Sequence, residues 1–132
     1  MSYKVYFKDC QTYLRADVAG EWSPGNEAED AKKIWTKTSD ECRAKGYNKL
    51  LSVWKVPGKL PTLAAYDIGT SADTLNWEKR CKVAVVQLYR ERYVDSLFAE
   101  TVALNRGIQV KVFDNEPQAL EWLLQEEKNP LA

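Results

Sequence analysis

Histidine is absent from the 132 residues. Without imidazole there is no Ser–His–Asp triad, no Cys–His dyad, no His-ligated zinc and no acid–base group poised near neutral pH. Cys10, Cys42 and Cys81 stand far apart, none at Cys-x-x-Cys spacing, so neither a zinc knuckle nor a redox pair is encoded. They read as reduced, partly packed thiols that fold and assembly can do without. Gly58-Lys59 lacks the first glycine and the hydroxyl of a phosphate-binding loop, and no Gly-x-Gly-x-x-Gly or Gly-x-Ser-x-Gly occurs. Glutamates such as Glu78 and Glu121 fall on apparent solvent faces rather than in facing pairs. No catalytic residue is nominated, and neither a metal nor a cofactor is expected.

The residue types that remain are aromatic and cationic. Five tryptophans are many for this length, and core or interface packing accounts for most of them. Strand parity suggests more for three aromatics. Trp54 shares a face with Leu50 and Ser52, Tyr89 with Val83, Val85 and Gln87, and Phe113 with Gln109 and Lys111. The opposite parity is aliphatic: Leu51 and Val53; Ala84, Val86 and Leu88; Ile108, Val110 and Val112. That set suits a helix-packed face. Trp54, Tyr89 and Phe113 are therefore expected together on the less covered face, at the carboxyl ends of adjacent strands, where open α/β sheets bind ligands. Lys55, Lys59, Arg90 and Arg92 lie just beyond those ends, balanced by Asp114. An apolar platform rimmed by cations suits a small amphipathic anion. Coverage of the same aromatics by a second subunit or by the last helix is the competing reading.

The elements that must position these groups follow from periodicity. Tyr3 to Lys8 and Tyr13 to Ala19 read as an antiparallel hairpin around the polar turn Asp9-Cys10-Gln11-Thr12. Asn26 with Glu29 reads as a capping box, with Ser23 before Pro24 as the alternative start. The helix that follows carries Ala28, Ala31, Trp35, Thr38 and Cys42 on one stripe and closes at Lys45-Gly46. Lys49 to Val56 is a strand. Pro61 to about Thr70 is a helix with Leu63, Tyr66 and Ile68 inward, and Leu75-Asn76-Trp77 is a separate turn. Lys82 to Tyr89 is a central strand, buried on both faces. Val94 to Arg106 is a helix with Leu97, Phe98, Val102 and Leu104 inward, closed at Gly107. Ile108 to Phe113 is an edge strand. Asn115 caps a last helix with Pro117 in its first turn and Leu120, Leu123 and Leu124 inward, before a fraying tail.

The order β-β-α-β-α-β-α-β-α describes an α/β fold: a five-stranded, mostly parallel sheet, order 1-2-3-4-5, with strand 1 antiparallel. Right-handed crossovers then place their helices on one face. The other face, expected to hold Leu50, Val83 and Val85, lacks cover, and this predicts a homodimer. One domain, 1–132, accounts for the length. Nineteen basic and nineteen acidic residues cancel, which argues against a nucleic-acid partner. No stretch approaches a membrane span or a signal peptide, so no stable membrane insertion is expected and the protein reads as cytoplasmic.

The C-terminal third carries a recognisable pattern. Phe98-Ala99-Glu100-Thr101-Val102-Ala103-Leu104-Asn105-Arg106-Gly107 leads to Val110-Lys111-Val112-Phe113-Asp114, then to Glu116-Pro117-Gln118-Ala119-Leu120-Glu121-Trp122-Leu123. With Lys82-Val83-Ala84-Val85-Val86 upstream, this resembles the bacterial SpoIIAA-like proteins of the STAS superfamily. The resemblance implies a βα superhelix with one extra antiparallel strand, a fold related to CRAL-TRIO lipid-binding domains. It also implies a phosphorylatable serine in Asp-Ser-Ser/Thr-Gly opening the second helix. Here that stretch is Pro57-Gly58-Lys59-Leu60-Pro61-Thr62. Thr62 is the only hydroxyl in it, and it reads better as a helix-start residue than as a phosphorylation site.

These observations lead to a non-enzymatic, cytoplasmic binding or regulatory module for a small amphipathic or anionic ligand or for a protein partner. The alternatives are a partner-switching regulator like the anti-sigma antagonists, which the missing phosphoserine motif disfavours, and an enzyme without histidine.

Overall fold

Asp9 and Leu14 face each other across a tight turn in which Gln11 takes a left-handed φ of 69° and the Cys10 N–H donates to the Tyr13 carbonyl at 3.0 Å. The turn joins β1 (Tyr3–Asp9) and β2 (Leu14–Gly20) into the expected hairpin. The structure, a computed structural model, describes residues 3–21, 25–58, 61–70 and 81–125. After the hairpin come α1 (Glu27–Lys45), β3 (Lys49–Lys55), α2 (Thr62–Thr70), β4 (Lys82–Gln87), α3 (Arg90–Leu104), β5 (Gln109–Phe113) and α4 (Glu116–Leu124). The sheet order is β1-β2-β3-β4-β5, with β1 antiparallel and every other pair parallel, as the element order requires.

Register decides which side chains share a face. Leu50, Val83 and Val110 stand side by side, as do Ser52, Val85 and Val112, and Trp54 stands beside Gln87. This face, with Leu14, Ala16 and Val18 of β2, packs under Ala31, Ile34 and Cys42 of α1, Ile68 of α2 and Tyr93 of α3. The opposite face holds Leu51, Val53, Ala84, Val86 and Phe113, under Ala119 and Leu123 of α4. The expected assignment of faces is thus reversed: the Trp54 face carries the three crossover helices. Leu50, Val83 and Val85 are all at most 5% exposed, so the reason offered for a homodimer is removed. Val110 and Val112 also change sides, because β5 is paired one residue away from the assumed phase. In strands apolar on both parities, hydrophobic pattern alone does not pin register between neighbours.

Helix ends follow their chemistry in most places. Gly46 adopts φ 74° and its N–H reaches the Arg43 carbonyl, while the Tyr47 N–H bonds the Cys42 carbonyl at 2.9 Å. Asn115 accepts from the Gln118 N–H at 3.0 Å and so caps α4, with Pro117 in the first turn. The capping box at α1 does not form. Asn26 is the N-cap without a side-chain bond, and Glu29 pairs with Lys32 at 3.2 Å instead. The alternative start at Ser23 and Pro24, and the turn at Leu75-Asn76-Trp77, lie outside the described residues. Along α1 the buried stripe is Asp30, Ala31, Ile34, Thr38, Ser39 and Cys42, with Ala28 and Trp35 half-buried beside it.

Two contacts fasten α4 across its face. At its start, the Arg15 guanidinium forks onto Glu116 at 2.8 and 3.1 Å and onto Asp17 at 2.9 and 3.0 Å. At its end, the Lys82 ammonium donates to the Trp122 carbonyl at 2.6 Å and sits 4.4 Å over the Trp122 ring, a cation where the helix exposes its last carbonyls. Leu123 is buried as expected, Leu120 is half-buried, and Leu124 faces solvent rather than the sheet.

Hydrogen bonding to Arg15 holds the Glu116 carboxyl below its usual value, with partial burial opposing. A carboxylate whose folded value is depressed adds stability above its unfolded value and loses it as pH falls through the folded one. The pair is partly solvent-screened, so Arg15→Ala is expected to cost about 1 kcal/mol at neutral pH. Urea midpoints of wild type and variant should converge between pH of about 5 and about 3. A constant gap across that window would show that the Arg15–Glu116 pair adds nothing.

Candidate functional site

The residues nominated for an amphipathic ligand do not assemble. Trp54 is 2% exposed, tilted against Trp35 with ring centroids 5.5 Å apart, and its indole N–H donates to Ser52 Oγ at 2.8 Å. Phe113 lies on the other face of the sheet against Trp122 at 5.9 Å. Tyr89 belongs to no strand: β4 ends at Gln87 and Tyr89 is the half-exposed N-cap of α3. The expected platform is therefore divided between two faces and a loop.

The cations also separate. Lys55 ends β3 and is exposed. Lys59 lies outside the described residues. Arg90 and Arg92 are not in a loop, because α3 starts four residues earlier than its apolar periodicity suggests. Arg90 is exposed and lies 5.8 Å from the Tyr93 ring. Arg92 is 2% exposed, and burial pulls its guanidinium down to about 10 against the opposing influence of Asp95, Glu27 and Glu91. Thr62 opens α2 and is exposed.

Chemistry elsewhere is sparse. Among the described residues no group of three or more His, Cys, Asp or Glu side chains could hold a metal ion. Burial pushes the Cys42 thiol up to about 12, so little nucleophilic thiolate forms there. None of the described helices is long and apolar enough to cross a membrane.

What the structure does bring together is an apolar surface on α2 and α3. The side chains that α3 buries include Arg92 and Ser96, with Ala103 near its end. Four of its apolar residues face outward, Val94 at 52% exposed and Phe98 at 43% with Leu97 and Leu104 beside them, while Tyr93 packs on the core and Val102 is half-buried. On α2, Ala65 is buried and Ile68 packs on the core, while Leu63 is 83% exposed and Tyr66 51%. Leu63, Tyr66, Leu97, Phe98 and Leu104 were all expected to point inward. The patch is continuous across the two helices, since the Tyr66 and Phe98 rings lie 6.5 Å apart. On its α1 side it is bounded by Asp67, which pairs with Lys32 at 2.9 Å.

The helical spacing of Val94, Leu97 and Phe98 is visible in the sequence, but an apolar stripe ordinarily marks the side that packs on the core. The contrary signal was Arg92 and Ser96 at the i and i+4 positions of the other side. A helix with two faces to satisfy buries whichever fits the sheet, and here small and polar groups fit closely above β4 and β5.

The architecture matches a solved one. The crystal structure of an anti-sigma factor antagonist from Mycobacterium paratuberculosis is similar to this chain with a TM-score of 0.59. The match has 11% sequence identity and covers 94% of this chain and 96% of that one. The chain thus has a SpoIIAA-like fold, with its extra antiparallel strand at the edge. No family model matches the sequence, and no curated protein matches it.

Proposed function

We propose that this chain is a cytoplasmic, non-enzymatic regulatory module that acts by docking another protein on the α2–α3 surface. The observation that carries the reading is the inverted burial of α3. A soluble domain rarely leaves a contiguous apolar patch of several hundred Å² open unless something binds there. The patch also has the make-up of an interface centre: aromatic and aliphatic side chains in the middle, charges such as Asp67 and Arg90 toward the edges. The structural neighbour supports a protein partner over a small molecule, since that protein is an anti-sigma factor antagonist. The division of Trp54 and Phe113 between two faces weighs the same way, because it removes the platform for an amphipathic anion.

Phosphorylation-driven partner switching is not part of the proposal. Thr62 is exposed beside Leu63, but it lacks the acidic and serine neighbours of the motif.

A photo-cross-linking side chain placed at Leu63 in the protein's own host, with a control at exposed Glu121 on α4, tests the reading. The expected result is a covalent adduct with a different protein at position 63 and none at 121. Equal labelling at both positions, or a retained small molecule in native mass spectra with no protein adduct, would remove it.

A further inference from the structure

We propose that in the free protein the α2–α3 face is covered by a second copy of the same chain, so that self-association and partner docking compete for one surface. The proposal rests on the docking reading above and names what occupies the face when the partner is absent.

Area is the first argument. The exposed parts of Leu63, Tyr66, Val94, Leu97, Phe98 and Leu104 amount to roughly 500–600 Å², at the top of what a monomer usually leaves open. Two copies face to face would remove about twice that, roughly 1,000–1,200 Å², before any rim is counted. That reaches the lower bound for a specific interface and stays well below the size of a permanent one, as a contact that must yield to a partner requires.

Charge is the second argument. The chain nets zero, so two copies approach without long-range repulsion. A two-fold contact sets the same patch against itself, and a patch carrying charge of one sign would then meet its own sign. Leu63, Val94, Leu97, Phe98 and Leu104 carry no charge, and Asp67 beside them is already paired with Lys32 at 2.9 Å, so self-contact through these side chains buries no unpaired charge of theirs.

The β1 edge of the sheet is guarded against self-pairing. β1 is an edge strand whose exposed face carries Lys4, Tyr6 and Lys8. Antiparallel pairing of two such edges about Tyr6 would put Lys4 opposite Lys8 at both ends, which disfavours edge-to-edge growth.

Sedimentation velocity of the full chain over roughly 1–100 μM tests the proposal, since an interface of this size is expected to dissociate in the micromolar range. The expected result is a mass rising from one 15.1 kDa chain toward two as concentration increases. Phe98→Asp and, separately, Leu63→Asp should each hold the single-chain mass at every concentration, with unchanged far-UV circular dichroism. Tyr6→Asp, on β1, should still dimerise. Leu63 is 83% exposed, so its variant remains informative if Phe98→Asp unfolds. A single-chain mass for wild type throughout, or a dimer that folded Leu63→Asp leaves intact, would overturn the proposal. A monomer that still yields the protein adduct at position 63 refutes self-association and leaves the docking reading standing; loss of both refutes both.

Discussion

Trp54→Ala is expected to lower the free energy of unfolding by about 3–5 kcal/mol, a drop of roughly 10 °C or more in Tm for a domain of this size. Trp54 is among the largest side chains fully enclosed by the fold. It fills the space where β3, β4 and α1 meet, against Trp35, so truncation leaves a void bounded by sheet and helix. The change also strands Ser52, whose hydroxyl is buried on the same face and accepts the indole N–H. Trp54→Phe separates the two contributions: it keeps most of the volume and loses the hydrogen bond, and should cost only about 1–3 kcal/mol. Urea unfolding at neutral pH reads both. A Trp54→Ala cost within about 0.5 kcal/mol of wild type is what a solvent-facing ligand platform would show, and it would refute the core assignment.

The contrast between Trp54 as platform and Trp54 as core shows where reading the sequence runs out. Element order, strand order and the antiparallel first strand follow from local signals: a four-residue turn after Tyr3 to Lys8, glycines after Lys45 and Arg106, an Asx cap at Asn115. Each signal is satisfied within a few residues, so the chain carries it locally. The face on which a helix lands is a different kind of fact. β3 and β4 are apolar on both parities, so Leu50 and Leu51, or Val85 and Val86, offer equal claims to either layer. Phase between β4 and β5 is set by how the α3–β5 connection packs. There Ile108 stays out of the strand, its N–H bonded to the Ala103 carbonyl. A one-residue difference moves Phe113 from the Trp54 face to the α4 face. The α2–α3 patch was hidden for a related reason. The stripe of Val94, Leu97 and Phe98 has the period of a core face, and only tertiary packing reveals that Arg92 and Ser96 took the inside.

Arg92→Met is expected to leave stability unchanged or raise it, by up to about 1–4 kcal/mol, with the urea midpoint moving upward. Arg92 is a cation enclosed in the first turn of α3, above the carboxyl end of β4. Asp95 on its own helix, Glu27 at the head of α1 and neighbouring Glu91 favour its charged form, yet burial outweighs them and the guanidinium sits near 10 rather than at its ordinary value. For a base whose folded value is depressed, the charge costs stability below that value, and the cost lifts as pH rises through about 10. At neutral pH the full cost is present. Methionine has a similar length and no charge to desolvate, so it keeps the packing of the aliphatic stem and relieves the penalty. Arg92→Ala removes the packing as well and should destabilise by about 1–3 kcal/mol, so the pair of variants separates charge from volume. If Arg92→Met instead loses 3 kcal/mol or more, the ion pairs around the guanidinium outweigh its desolvation, and this turn of α3 is held by charge. If it gains, α3 buries Arg92 at a cost in stability while Val94 and Phe98 stay outside. That is the pattern expected of a helix whose apolar side is reserved for a second surface.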